Sequence, residues 1–174
     1  RYCALSTCFR KEAGSHGKDT LGIFRVHQFE KVEQFIYATP ENSTLEHEKL
    51  LEVTEGIYQK LGLPYQIVAI VSSALNDNAA IKYDLEAWFP GSGTYRELVS
   101  CTNCKDYQAR KINTRYGKAG AGDAQILHTL NSTAIATERT ICCILENYQQ
   151  EDGSIKIPDV LIPYMNGKTI IEAK

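Results

Sequence analysis

Apolar and polar positions at the start of the chain form two strand-like runs. Residues 2–10 are rich in β-forming side chains, and residues 23–37 form a longer run of the same character. A polar loop with three glycines, 11–22, lies between them. Two such runs joined by a loop predict an antiparallel hairpin. Long loops between ordered strands often have a function, so this hairpin is the first candidate for a site.

A helical pattern follows at 43–61, where one face of the predicted helix is formed by Leu50, Thr54, Ile57, Tyr58 and Leu61. Ser43 and Glu46 predict a capping box at its start. Gly62 and Pro64 predict its end, because glycine readily adopts the left-handed conformation and proline cannot continue a helix. We expect this helix to serve in packing.

The rest of the chain is predicted to form mainly strands, followed by one more helix. The strand candidates are 65–75, 81–89, 95–101, 110–116 and 125–130. A last helix is predicted at 132–149 with Ser132 as its cap, and the tail after it is expected to be irregular. This order lacks the regular strand–helix alternation of a doubly wound fold. It predicts the α+β class, an antiparallel β-sheet with flanking helices.

Composition narrows the classes of function. The chain has 174 residues, 43% of them hydrophobic, which suits one globular domain with a core. A formal net charge of −2 argues against a strongly basic nucleic-acid-binding module. The longest aliphatic run, 67–71, is far too short to cross a bilayer, so we expect no membrane partner. The chain starts within a strand-like segment, and we expect it to be a piece of a longer protein.

The six cysteines do not show the spacing of a secreted disulfide framework. We interpret them as reduced thiols of a cytosolic protein. Cys101 and Cys104 form a single CxxC, whereas a zinc site needs about four ligands. The favoured interpretation is that both are reduced structural cysteines, with a zinc site as the alternative.

The second run contains Arg25, Phe29 and Glu33, each four residues from the next. On an unbulged strand they would share one face, together with Lys31. Four residues of strand span roughly 13 Å, which is comparable to the length of an amino acid joined to AMP. Arg10, on the preceding strand, could then bind a phosphate between the two ends. The alternative is a solvated face with ion pairs between the strands.

Three blocks of the sequence are specific enough to compare with known families. They are STCFRKEAGSHGKDTLGIFRVHQFEKVEQF at 6–35, YDLEAWFPGSGTYRELVSCTNCKDYQARK at 83–111 and LNSTAIATERTICCILENYQ at 130–149. The first resembles the second signature of class II aminoacyl-tRNA synthetases in their seryl form. The last resembles their third signature, and the middle block resembles the segment before it. The resemblance covers at least 6–160 and is to the eukaryotic cytosolic branch.

This resemblance implies a fold and an activity. The implied fold is an antiparallel sheet that holds ATP in a bent form beside serine. The implied reaction is ATP-dependent activation of L-serine to seryl-adenylate, followed by transfer to tRNA(Ser), with Mg²⁺ on the phosphates. A cytoplasmic location is implied, and the full-length parent is expected to form a homodimer.

The resemblance also implies two sets of binding residues. The ATP-binding set is Arg10, Lys11, Glu12, Val26, His27, Gln28, Phe29, Glu97, Leu98, Val99, Ser100 and Arg139. The serine-binding set is Arg10, Glu33, Asn131 and Thr133. Phe29 would stack on adenine, and Glu33 would hold the serine ammonium. Arg10, at the α-phosphate and the serine carboxylate, and Arg139, at the γ-phosphate, are the implied catalytic residues.

Glu97 and Ser100 are the implied Mg²⁺ ligands, and their oxygens suit a hard cation. An odd number of positions separates them, so an ordinary strand would send them to opposite faces. We therefore expect a β-bulge or a strand end between them.

The family's N-terminal helical arm, its first signature and an upstream threonine of the serine pocket have no match in this sequence. We therefore interpret residues 1–174 as the C-terminal part of a class II catalytic domain. Two alternatives remain. One is a synthetase-like paralogue or inactive fragment that binds a nucleotide or an amino acid without charging tRNA. The other is a zinc or RNA-binding module built on Cys101 and Cys104.

Overall fold

A computed structural model describes residues 1–12, 22–118, 122 and 124–173. In chain order the strands are β1 (Tyr2–Phe9), β2 (Gln28–Ala38), β3 (Tyr65–Ala69), β4 (Ile81–Phe89), β5 (Thr94–Asn103), β6 (Arg115–Tyr116), β7 (Gln125–Ile126), β8 (His128–Ala136), β9 (Ile155–Lys156) and β10 (Ile170–Ile171). The helices are α1 (Ser43–Lys60), α2 (Tyr107–Ile112) and α3 (Thr137–Tyr148). No helix in these ranges is long and apolar enough to cross a membrane.

Six of the strands form one sheet in the order β1-β2-β8-β5-β4-β3. Every neighbouring pair in this sheet is antiparallel. The α+β prediction of an antiparallel sheet with flanking helices is confirmed. β6 pairs with β7, and β9 pairs with β10, in two small separate ribbons.

The predicted N-terminal hairpin is present. β1 pairs with β2 from Tyr2 opposite Phe35 to Phe9 opposite Gln28, and the Arg10 N–H donates to the His27 carbonyl at 2.8 Å. Strand β2 begins at Gln28, so the prediction of strand at 23–27 is wrong. That segment instead forms turns and bends, whereas most of the predicted loop, 13–21, lies outside the described residues.

Helix α1 matches its prediction except at its start. Leu50, Thr54, Tyr58 and Leu61 are buried on one face, with Ile57 packed beside them. The predicted capping box is wrong, because Asn42 occupies the N-cap position and Ser43 is already helical. The Ser43 hydroxyl donates to the Pro40 carbonyl, and the Glu46 carboxylate pairs with Arg1. Gly62 follows the helix with φ of +67°, as its position predicts.

Three predictions in the second half need correction. β3 ends at Ala69, well before 75. Segment 110–116 is not a strand, because the turns of α2 extend to Ile112 and only Arg115–Tyr116 is extended. The last helix begins at Thr137, because residues up to Ala136 pair in the sheet. Ser132 is fully buried inside β8, so it cannot cap a helix.

Both long helices pack on the same face of the sheet. The Tyr58 hydroxyl of α1 lies 3.3 Å from Thr140 of α3, and both residues are buried. Gln34 and Ile36 of β2 face α1, since Gln34 bonds Thr54 and Ile36 joins the core cluster of Leu50. Side chains alternate along a strand, so Phe29, Lys31 and Glu33 project from the opposite face. That face bears the candidate site.

Candidate active site

A cavity on this face is lined by residues from β2, β5, β8, the start of α3 and the turn before β2. Of the residues implied by the signatures, it contains Arg10, Val26, Phe29, Glu97, Leu98, Ser100, Thr133 and Arg139. A second cavity is lined by Glu33, Asn131, Thr133 and Ser100, among others. Lys31, Ser100 and Thr133 line both cavities, so the two adjoin.

The first cavity is rich in guanidinium groups. The Arg10 guanidinium lies over the Phe29 ring, 4.7 Å from its centre. Glu12 pairs with Arg25 at 2.5 Å and with Arg10 at 3.6 Å, which ties the end of β1 to the turn before β2. Arg25 lines the cavity, although the sequence signatures assigned it no role. Its regular spacing from Phe29 and Glu33 was the signal that pointed to it.

Arg139 enters the cavity from the first turn of α3. It is the third residue of that helix, and its Nη1 donates to the Glu97 carbonyl at 2.9 Å. Its guanidinium also lies 4.8 Å from the centre of the Phe24 ring. Burial lowers the pKa of Arg139, and the charges of Arg10 and Arg25 lower it further, although Glu97 opposes them. Three converging arginines make this cavity suited to a polyanion.

Glu33 is the centre of the second cavity. Its two carboxylate oxygens accept hydrogen bonds from Asn131 Nδ2 at 3.2 Å and Thr133 Oγ1 at 3.1 Å. Lys31 Nζ lies 3.1 Å from Glu33 Oε2, which accounts for a lysine on this face. The carboxylate is thus oriented by neutral donors and balanced by one ammonium group. A substrate ammonium could take the place of Lys31.

Sequence reasoning missed part of the second cavity. Its other lining residues are Asn76, Asn78, Ala79, Lys82 and Thr102. The polar stretch 76–78 between β3 and β4 was the available signal. The Sγ of Cys104 lies 3.8 Å from both Asn78 Nδ2 and Asn131 Oδ1, so this buried cysteine supports the wall of the cavity.

Two β-bulges set the directions of the site residues. In the pairing of β4 with β5, Leu85 opposes Val99 and Glu86 opposes Glu97, so Leu98 is an extra residue. The expected bulge between Glu97 and Ser100 is confirmed, and it turns both side chains to the same face. In β8 the extra residue is Ala134, which places Thr133 opposite Glu33.

Glu97 and Ser100 fit the donor set of a hard cation. Both line the arginine-rich cavity, and no described residue donates a hydrogen bond to the Glu97 carboxylate. Mg²⁺ prefers carboxylate and neutral oxygen ligands of this kind. Behind them lies Asp84, whose pKa is raised by burial and by the Glu97 carboxylate, while Lys82 opposes the shift.

Five residues of the implied ATP-binding set line neither cavity. They are Lys11, Glu12, His27, Gln28 and Val99. Lys11, His27 and Gln28 are exposed. Val99 is packed in the core on the other face, so only its backbone is near the site.

The two cysteines of the CxxC point to different partners. Cys101 Sγ lies 3.8 Å from the His47 carbonyl, whereas Cys104 Sγ lies 3.8 Å from Asn131 Oδ1. Burial raises the pKa of the Cys101 thiol to about 12. Across the described part of the chain, no three His, Cys, Asp or Glu side chains are grouped as metal ligands would be.

An antiparallel sheet with flanking helices is the fold that the signatures implied for a class II synthetase core. The chain matches the family model described as the tRNA synthetase class II core domain (G, H, P, S and T) over residues 1–148, and it belongs to that family. Within it the chain is similar to serine–tRNA ligases, which confirms the resemblance seen in the signatures. The cytoplasmic serine–tRNA ligase of Arabidopsis thaliana is 63% identical over an alignment that covers 100% of this chain.

Two solved structures agree with this assignment. The cytoplasmic serine–tRNA ligase of Naegleria fowleri in complex with AMP is 54% identical over 99% of this chain, with a TM-score of 0.93. The seryl-tRNA synthetase of Pyrococcus horikoshii complexed with ATP is 53% identical over 99% of the chain, with a TM-score of 0.94. The chain spans 39% of the Arabidopsis relative and 41% and 39% of these two structures.

Proposed function

We propose that the protein activates L-serine with ATP to form seryl-adenylate and transfers serine to tRNA(Ser). Residues 1–174 would be the C-terminal part of the catalytic domain. The observation that supports this most directly is the adjacency of two cavities, one lined by Arg10, Arg25 and Arg139 and the other centred on Glu33. One suits a triphosphate, and the other suits an ammonium group.

In this proposal Phe29 stacks on adenine, while Arg10 moves from the ring to the α-phosphate and the serine carboxylate. Arg139 and Arg25 bind the outer phosphates. Glu33 binds the serine ammonium in place of Lys31. Glu12 stays beside Arg10 and Arg25 and keeps the two guanidinium groups in position.

The chemistry then requires no nucleophile from the protein. A carboxylate oxygen of serine attacks the α-phosphorus in line, the bond to the bridging oxygen breaks, and pyrophosphate leaves. The protein contributes position and charge stabilisation, which together supply much of such a rate enhancement. Glu97 and Ser100 would hold Mg²⁺, which neutralises phosphate charge when bound.

Selection of serine rests on the polar side chains of the second cavity. Asn131 and Thr133 line the second cavity beside Glu33 and are the candidates for contact with the substrate. A site built to hydrogen-bond a hydroxyl rejects an analogue that lacks it, because its own groups are then left unpaired. Alanine should therefore be activated far less well than serine.

The whole protein is proposed to be a cytoplasmic homodimer. The names of relatives support the location, since the Arabidopsis and Schizosaccharomyces pombe serine–tRNA ligases are both named cytoplasmic. The dimer is the assembly expected for the full-length member of the family.

Serine-dependent exchange of pyrophosphate into ATP by the full-length protein tests this proposal. We expect exchange that needs serine and Mg²⁺, and we expect Arg10→Ala to abolish it while the circular dichroism spectrum stays unchanged. Near-parent exchange in that variant would refute the role of Arg10. Folded protein that binds ATP without any exchange would instead indicate a synthetase-like paralogue.

A further inference from the structure

Asp84 is a buried carboxylate beside the proposed cation ligands, and neither the signatures nor the proposed reaction gives it a role. It lies on β4 directly opposite Ser100 of β5. Directly opposed residues of an antiparallel pair have side chains on the same face, with their Cβ atoms about 4.5–5.5 Å apart. The bulge at Leu98 brings Glu97 to that face as well.

The Asp84 side chain is only 8% exposed. Its Oδ1 is buried without a hydrogen-bond partner in the described part of the chain. The nearest cation, Lys82 Nζ, is 3.5 Å away, longer than the roughly 2.7–2.9 Å of a charge-assisted hydrogen bond. Buried carboxylate oxygens are normally satisfied, because an unpaired buried polar atom is costly.

A neutral hydroxyl that binds a cation donates lone pairs and needs an acceptor for its proton. The register places the Ser100 hydroxyl beside the Asp84 carboxylate. We propose that Asp84 is a positioning residue for the divalent cation: it accepts the hydrogen bond of the Ser100 hydroxyl, so that the Ser100 lone pairs face the cation.

This inference rests on the proposed function, since it requires ATP and a divalent cation at Glu97 and Ser100. Asp84 would be a further residue of the cation site, and it would contact neither ATP nor serine. Partners behind a metal ligand orient it, and their loss typically lowers metal affinity about 10–100-fold. A purely structural Asp84, paired only with Lys82, would leave the cation affinity unchanged.

The test uses the full-length protein with Mn²⁺ as the spectroscopic cation. Electron paramagnetic resonance measures the Mn²⁺ affinity of the complex with a non-hydrolysable ATP analogue. For Asp84→Asn we expect an affinity about 10–100-fold weaker than that of the parent, while affinity for the analogue without metal stays within about twofold. In a Ser100→Ala background, Asp84→Asn should cause little further loss, because the two residues act through one hydrogen bond.

Glu86→Gln is the matched control. Glu86 is on the same strand and face, directly opposite Glu97, and its carboxylate accepts from Gln66 at 2.8 Å. Like Asp84→Asn, this substitution removes one negative charge, but Glu86 is bonded to Gln66 and is not opposite Ser100. We therefore expect near-parent Mn²⁺ affinity. If Asp84→Asn fails to unfold cooperatively, the smaller Asp84→Ser takes its place.

The outcomes separate the two claims. Parent protein that binds no Mn²⁺ with the analogue contradicts the proposed function, and this inference with it. Parent protein that binds Mn²⁺ normally, with Asp84→Asn equal to it, overturns the inference alone. Equal losses in Asp84→Asn and Glu86→Gln also overturn it, because charge and not the hydrogen bond would then be responsible.

Discussion

The Glu33 carboxylate has hydrogen-bond and ion-pair partners within the protein itself. Asn131 and Thr133 orient the carboxylate, and the Lys31 ammonium balances its charge. Because Asn131 and Thr133 are neutral, they cannot replace the lost ion pair if Lys31 leaves. The negative charge is therefore available for another ammonium group at the same place.

Replacing Glu33 by glutamine should weaken serine binding much more than ATP binding. Hydrogen bonds to charged groups contribute roughly 1.5–3 kcal/mol, so the KM for serine should rise about tenfold or more, with the KM for ATP within about twofold. Pyrophosphate exchange measures both constants. Glu30→Gln, at an exposed position of the same strand, is the control, and equal losses for the two substrates would contradict the assignment.

The pKa of Glu46 is set mainly by Arg1. The hydrogen-bonded Arg1 guanidinium, with help from Lys49, lowers the pKa of Glu46 from 4.5 to about 2. A carboxylate with a depressed pKa in the folded state stabilises that state above the unfolded pKa, and this contribution is lost as the pH falls towards the folded pKa. The loss from Glu46 should therefore fall between about pH 4.5 and pH 2.

Arg1→Met should move the pKa of Glu46 up towards 4.5, which a ¹³C NMR titration of its carboxyl group measures. Because Arg1 is largely exposed and solvent screens the pair, the loss of stability at neutral pH should be small. Lys49→Met is the control and should produce a smaller rise. A pKa that stays near 2 in Arg1→Met would show that another group holds Glu46 ionised.

At the scale of elements, single extra residues decide what the site contains. The bulge at Leu98 was predictable, because two oxygen ligands three positions apart cannot share a face of a regular strand. The bulge at Ala134 had no such signal, since Asn131 and Thr133 already lie two positions apart. Pairing with β2 decides it, because only this shift places Thr133 opposite Glu33.

Helix α1 is attached to the sheet through its buried face. Leu50 is 3% exposed and packs with Ile36, Cys101 and Leu130. Leu50→Ala should lower the free energy of unfolding by about 2–5 kcal/mol, because a cavity remains. Urea unfolding measures this. Val53→Ala, one turn further on and 54% exposed, is the control and should cost far less. Similar losses in both variants would contradict this packing.

The predicted strand and helix boundaries were wrong where strand pairing or helix formation overrode the local pattern of the sequence. Residues 132–136 contain β-branched side chains and pair with β2, so the strand continues until Ala136. Segment 110–116 has no clear apolar period, and its first residues belong to α2. A left-handed Asn113, with φ of 54°, ends that helix.

At the scale of the whole molecule, the candidate site joins elements that are far apart in sequence. The arginines lie at the end of β1, before β2 and in α3, and the proposed cation ligands lie on β5. A ligand that contacts all of them should stabilise the sheet as a unit. Binding to the folded state alone contributes about 2.7 kcal/mol at a concentration 100 times the Kd.

ATP with Mg²⁺ should therefore raise the Tm of the full-length protein by several degrees. In Arg139→Met most of this rise should disappear, whatever the Tm of the free variant, because a phosphate contact is lost. Differential scanning calorimetry measures the shift. Arg115→Met, which changes an exposed arginine outside both cavities, should keep it. An undiminished shift in Arg139→Met would remove Arg139 from the ATP site.

The sequence by itself determined the α+β class, the N-terminal hairpin, the apolar face of α1 and the signature residues. These follow from side-chain periodicity, loop position and contiguous motifs, all of which are local. Only the tertiary structure decided that Lys31 balances Glu33 and that Asp84 lies behind Ser100. Those facts depend on strand register and charge compensation between distant residues, and no local pattern encodes either.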